Sequence, residues 1–180
     1  MNSTILPVPK PQDINSGLTS PSELFMIQMF GTPGTLTQDC SEITNSKLKQ
    51  NIVSASIANG INVHGHKVAI ASLQHIFANV KNAGRQDLLD GLICDGMLCC
   101  RKRRGGTSFS NHSWGCAIDF KYTHDGIDMG DPHCFKGLLD LYTFFHANKW
   151  YWGASFQRPD SMHFEPSTEL IMDWKGLGLI

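Results

Sequence analysis

The chain has 180 residues, 41% hydrophobic and 17% charged. That is enough to build one core without disulfide staples, and too apolar for a disordered or coiled-coil chain. Lys+Arg number 15 against 16 Asp+Glu, a formal charge of −1, which excludes nucleic-acid binding through overall charge.

In chain order, residues 1–20 carry Pro7, Pro9 and Pro11 among Ser, Thr and Asn and read as a flexible N-terminal tail, with 21–180 as a single domain. The start lacks the basic and apolar regions of a secretory signal, so synthesis in the cytoplasm without a signal peptide is expected. No run approaches the roughly 18 apolar residues of a membrane span. Ser20-Pro21-Ser22-Glu23 before Leu24, Phe25, Ile27 and Met29 predicts a short helix, ended by Gly31-Thr32-Pro33-Gly34. Residues 48–64 read as strands, with Leu48, Ile52, Val53 and Ile57 on one side of an Asn59-Gly60 turn and Ile61 and Val63 on the other. Ala69, Leu73, Ile76, Phe77 and Val80 fall on one face of a helix from Lys67 to Ala83, stopped by Gly84.

A basic, Gly-rich loop follows at Arg101-Lys102-Arg103-Arg104-Gly105-Gly106. Across Ser113–Tyr122, Trp114, Cys116, Ile118 and Phe120 alternate with Gly115, Ala117 and Asp119, a strand pattern. A second helix is predicted over 135–149 from Phe135, Leu138, Leu139, Tyr142 and Phe145. Trp150-Tyr151-Trp152 and Met162-His163-Phe164-Glu165 read as short strands. The fold class is α+β, a small, mainly antiparallel sheet with helices packed on it. The six cysteines include no CxxC pair, and the reading is mostly reduced structural thiols, with one or two disulfides as the alternative.

The chemistry concentrates in His112, Asp119 and His163. An acid on the small-residue side of an otherwise apolar strand is costly to bury unless it is hydrogen-bonded, paired or metal-bound. His112 and Asp119 are seven residues apart, so on one straight strand they would face opposite ways. His112 must come from a turn before the strand, or a bulge must intervene, and Gly115 permits either. Two His and one carboxylate leave a fourth position open, the arrangement of a catalytic zinc. A proton acceptor is then needed nearby, and Asp160 and Glu165 are the candidates. Mononuclear iron is the rival metal, but no later His supplies a distal ligand. His75 and His146 read as ordinary helix residues, His64-x-His66 as a weak metal pair, and His124 and His133 with Asp125, Asp128 and Asp131 as a solvated loop. The arginines at 101–104 are either a solvated run or a grip for a substrate carboxylate.

Ser110-x-His112-x-x-Gly115-x-Ala117-x-Asp119, then Trp150-x-Trp152-Gly153 and Asp160-x-x-His163-Phe164-Glu165, resembles the zinc peptidases of the D-alanyl-D-alanine carboxypeptidase/VanY type. That group includes the L-alanyl-D-glutamate endopeptidases and is related to the hedgehog domain. The resemblance covers about residues 95–166. It implies one Zn2+ held by His112, Asp119 and His163, with Asp160 as general base. It further implies Ser110 and Trp152 at the substrate, Arg101 or Arg104 at an oxyanion or carboxylate, and Glu165 supporting a ligand His. Phe109 stands where relatives often have Trp. The implied substrate is the peptidoglycan stem peptide, cut by an L-Ala-D-Glu endopeptidase acting as an endolysin or as an antibacterial effector with an immunity protein. The alternatives are a D,D-carboxypeptidase or D-Ala-D-Ala dipeptidase, and a non-catalytic zinc module. Action would be at the cell wall after release or injection.

Overall fold

Every strand pair among the described residues is antiparallel, in agreement with the α+β expectation. The structure is a computed structural model that describes residues 1–58 and 60–180. The elements are β1 (Ile5–Pro7), α1 (Glu23–Phe30), α2 (Ser46–Lys49), β2 (Ile52–Ala58), β3 (Ile61–His66), α3 (Lys67–Asn82), β4 (Ile93–Gly96), β5 (Ile118–Lys121), β6 (His133–Phe135), α4 (Lys136–Ala147), β7 (Trp150–Trp152), β8 (His163–Pro166) and α5 (Thr168–Gly176). A four-stranded sheet in the order β4-β5-β8-β7 carries the centre of the molecule, flanked by the ribbons β1-β6 and β2-β3. Among the described residues no helix is long and apolar enough to cross a membrane.

The apolar rhythm of the two long helices is what holds them to the sheet. Ala69, Leu73, Ile76, Phe77 and Val80 are all buried on α3, together with Ile70. On α4 the buried set is Gly137, Leu138, Leu141 and Phe145. Phe77 of α3 meets Phe120 of the sheet (5.7 Å) and Phe145 of α4 (6.0 Å) edge to face. Phe164 of β8 stacks on Trp152 at 5.8 Å. Fully burying each such ring contributes roughly 1.5–3 kcal/mol, so the strand that carries His163 is fixed by its alternate, core-facing Phe164.

Two local expectations differ from the structure, and a third falls on a residue outside those described. The strand expected from residue 48 starts only at Ile52, because Leu48 and Lys49 belong to the helical turn Ser46–Lys49, which Asn45 caps by accepting the Leu48 N–H (3.0 Å) and which buries Leu48. Asn59 of the expected turn lies outside the described residues, but the hairpin it joins is present, with Ala58 opposite Ile61. The strand pattern at 113–117 belongs to a buried 3-10 turn, Asn111–Trp114, followed by Gly115. Trp114 leaves the alternation to donate its indole N–H to Gly31 O (2.8 Å) beyond α1.

Residues 1–20, expected as a flexible tail, are instead docked. Ile5, Leu6 and Pro7 pair with Phe135, Cys134 and His133. Asn15 is buried, donates to Trp152 O (2.9 Å) and accepts the Trp152 N–H (2.9 Å). Proline and polar residues suppress the helix and strand periods without preventing side-chain anchoring, which is why composition alone misjudges this stretch. The expectation of mostly reduced thiols holds for Cys94, Cys100, Cys116 and Cys134, while Cys40 and Cys99 form a disulfide.

Candidate active site

The reversal needed between His112 and Asp119 is made at Gly115, which takes φ 63° at the end of the 3-10 turn. Only glycine enters that left-handed region without strain. The close approach requires it as well: a Cβ there would lie 2.7 Å from His66 N and 2.8 Å from Gly65 Cα. His66 N–H donates to Gly115 O (2.9 Å), so the turn is hung from β3. Beyond it β5 begins, and Asp119 stands directly opposite His163 of β8.

The outcome is a triangle of three donor atoms. His112 Nε2 is 3.2 Å from His163 Nδ1 and 3.2 Å from Asp119 Oδ1, and His163 Nδ1 is 3.1 Å from Asp119 Oδ1. Donors about 2.0 Å from a tetrahedral ion stand roughly 3.3 Å apart, so this triangle fits one face of such a site. It is the one group of three or more His, Cys, Asp or Glu among the described residues that could hold a metal ion.

The far nitrogen of each imidazole is engaged. His112 Nδ1 donates to Met97 O (3.0 Å) and His163 Nε2 to Glu165 Oε2 (2.9 Å). These partners fix which nitrogen turns to the centre, the usual means of orienting ligand histidines. Burial opposes charge on Asp119, but the two imidazoles outweigh it and hold its carboxyl well below the usual range. Burial likewise opposes charge on His163, and its bonds to Asp119 and Glu165 overcome this and raise its pKa. The centre therefore attracts positive charge, either a proton or a cation that displaces it.

The triangle lies in a cavity of about 470 Å³, whose lining includes Arg101, Arg104, Ser110, Asp160 and Glu165. Glu165 is 2% exposed, and both its oxygens are taken: Oε1 accepts from Ser20 Oγ (2.6 Å), and Oε2 from Asn111 Nδ2 (2.8 Å) and His163. The Asp160 carboxylate accepts no hydrogen bond from the described side chains or backbone. The loop that delivers it closes on Gly153, whose carbonyl accepts the Asp160 N–H (2.9 Å) and where a Cβ would be 2.8 Å from Asp160 O. Burial raises the Asp160 pKa, against the pull of His163, His112 and Arg104. A half-buried, unpartnered carboxyl beside the triangle is the group most able to exchange a proton with a substrate.

Arg101 is half-buried, its Nη1 donating to Lys102 O (2.9 Å). Arg104 is exposed at the rim. Trp152, expected at the substrate, does not line the cavity: it is fully buried, donates Nε1–H to Ser161 O (2.8 Å) and stacks between Phe164 and Tyr142. His64-x-His66 is not a metal pair, since His64 Nδ1 bonds Ser54 Oγ (2.8 Å) on an exposed strand and His66 is buried beneath Phe30. His124 and His133 bond Asp125 (3.1 Å) and Asp131 (2.6 Å) on the surface.

Sequence reasoning missed Ser20, Asn111 and the carbonyl of Met97. Asn111 is 2% exposed and ties Glu165 to Pro21 O (3.2 Å). Only its place between Ser110 and His112 marks it in the sequence, and nothing there marks a supporting carbonyl.

No curated protein and no solved structure matches the chain. Residues 104–166, about a third of the chain, match the family described as D-alanyl-D-alanine carboxypeptidase. The matched stretch begins at Arg104 and contains the triangle, Ser110, Asp160 and Glu165, while Arg101 lies outside it. The segment that carries the triangle and Asp160 is thus similar to the family described as D-alanyl-D-alanine carboxypeptidase.

Proposed function

We propose that this protein is a zinc-dependent peptidoglycan peptidase that hydrolyses a stem-peptide bond, with the L-Ala-D-Glu bond as the favoured site of cleavage. The observation that carries this reading is the free carboxyl of Asp160 beside the His112–Asp119–His163 triangle, in an arginine-lined cavity. His112, Asp119 and His163 would hold the zinc. When bound, zinc supplies Lewis-acid chemistry, polarising a carbonyl and making water more acidic.

The chain's own residues supply the rest. Asp160 accepts the proton of the attacking water and passes it to the leaving amine. Its raised pKa suits both steps, since a weaker acid is a stronger base for the first. Arg101, half-buried in the cavity lining, places positive charge where an oxyanion would develop. Ser110 lines the cavity beside His112 and is available to hold the peptide backbone. Glu165, with both oxygens engaged, positions His163 and is not the base. Such an enzyme acts on the cell wall as an endolysin or as an antibacterial effector, the second calling for an immunity protein.

The test is digestion of purified sacculi by zinc-loaded protein, with mass spectrometry of the soluble products. New N-terminal D-glutamyl or D-isoglutaminyl stems establish the endopeptidase. Release of terminal D-Ala gives the D,D-carboxypeptidase instead. Cleavage of free D-Ala-D-Ala with intact sacculi untouched gives the dipeptidase. No product from protein carrying one zinc per chain overturns the enzymatic reading in favour of a binding module.

A further inference from the structure

The chain has five arginines, and four of them, Arg101, Arg103, Arg104 and Arg158, line this one cavity. The fifth, Arg85, pairs with Asp87 and Asp140. Among the described residues none of the four has a carboxylate partner, whereas two of the cavity's acids are engaged, Asp95 by Lys121 and Asp125 by His124. The lining also holds Asp95, Asp119, Asp125, Asp128, Asp160 and Glu165, yet none of these is ion-paired to the four arginines among the described residues, so the guanidiniums keep donors free for an anionic ligand.

The four are not equivalent. Arg101 is half-buried, with Nη1 donating to Lys102 O (2.9 Å). Arg103 is turned aside, its Nε donating to Phe109 O (3.2 Å). Arg158 is exposed but held in place. Its Nη2 donates to Met129 O (3.2 Å). Its stem crosses Gly130, where a Cβ would be 3.0 Å from Nε, and its Nη1 is 3.5 Å from the Cβ position of Gly105, the neighbour of Arg104. Gly130 N–H in turn donates to Pro159 O (2.6 Å), locking the two loops beneath it. A guanidinium fixed in this way loses less freedom on gripping a carboxylate than a loose surface side chain.

We propose that Arg158, with Arg104 beside it across the cavity mouth, reads a second carboxylate on the substrate, so that the enzyme prefers stem peptides bearing a free α-carboxylate on the D-glutamyl residue over the same peptides amidated there. This rests on the peptidase reading and adds to it a specificity-determining residue that none of the sequence motifs includes.

The test uses a pair of synthetic stem peptides, D-glutamyl and D-isoglutaminyl, with zinc-loaded wild type, Arg158→Gln and Arg158→Lys. Wild type should favour the acid form about tenfold in kcat/KM, the scale of one partly exposed charge-assisted contact. Arg158→Gln should lose that preference through KM, with kcat and the amidated peptide unchanged, and Arg158→Lys should fall between. A wild type without preference, or a preference that survives in Arg158→Gln of unchanged melting temperature, overturns the inference. If wild type cleaves neither peptide, the peptidase reading fails. Calorimetric titration of the same pair then decides: an acid preference in binding, lost in Arg158→Gln, upholds the carboxylate site, and its absence refutes it.

Discussion

Replacing Glu165 by Gln and by Ala separates two jobs of one buried carboxylate. In Glu165→Gln the amide oxygen can take the place of Oε2 and still accept from Asn111 and His163, at present 2.8 and 2.9 Å away. Its NH2 then faces Ser20 Oγ, whose hydroxyl can rotate to accept. The geometry survives and only charge is lost. Weakening the hydrogen bond behind a ligand His lowers metal affinity about 10-fold to 100-fold, and the isosteric change should fall near the lower end. Glu165→Ala leaves the His163 N–H and the Ser20 hydroxyl without their acceptor and deprives Asn111 of one of two. At about 1–3 kcal/mol for each buried orphan, the fold should lose about 3–5 kcal/mol and the metal about 100-fold in affinity. Competition with a chromophoric chelator reads the affinity, and urea unfolding of the metal-free proteins reads the stability. Equal zinc affinity in wild type and Glu165→Ala, or no difference between the two variants, would refute the role of Glu165 as the support of His163.

Asp160→Asn should keep one zinc per chain by elemental analysis and lose turnover about 10²-fold to 10⁴-fold; loss of the metal would instead make Asp160 a ligand. Burial, and secondarily Lys67, lowers the His66 pKa from 6.5 to about 4, so the fold keeps His66 neutral where the unfolded chain protonates it. The unfolded state then binds more protons between these values, and stability is lost as pH falls from 6.5 to 4, by about 3 kcal/mol in all. The difference in unfolding free energy between wild type and His66→Asn should show that slope, and a flat difference removes His66 as the cause. Reducing the Cys40–Cys99 bond, which spans 59 positions, should lower stability by about 4 kcal/mol on loop entropy. A Cys40→Ser melt equal to wild type would show that the link adds nothing.

The helices of the core were legible because α3 and α4 repeat apolar residues at the helical period over many turns, so local pattern and tertiary burial agree. The meeting of His112, Asp119 and His163 was legible for a different reason. Their residue types are rare on a short strand, and the motif linking Ser110, His112, Gly115 and Asp119 sets a geometric problem that Gly115 solves in the anticipated way. What escaped was everything that reaches the site from far along the chain. Ser20 meets Glu165 across 145 positions and Asn111 meets Pro21 across 90, and single hydrogen bonds of that span leave no period. Trp152 was misplaced because a motif tryptophan next to a ligand loop looks like a substrate contact, while the structure spends its ring on Phe164 and its N–H on Ser161.

The docked N-terminus and the disulfide act on the same small group of atoms. Cys99 N–H donates to His112 O (3.1 Å), and two residues earlier Met97 O accepts from His112 Nδ1. Cys40 fastens that segment to the 32–45 stretch, and Ser41 N–H adds a bond to Cys100 O (2.9 Å). From the other side, Ser20 and Pro21 hold Glu165 and Asn111. His112 is therefore gripped through segment 97–99 and His163 through Glu165, each by chain lying outside residues 104–166. A fragment confined to those residues would keep all three donor types and lose Met97, Cys99, Ser20 and β3. Since the donors must stand about 3.3 Å apart to share a tetrahedral ion, the fragment should bind zinc more weakly than the full chain, even though it contains all three donors of the triangle.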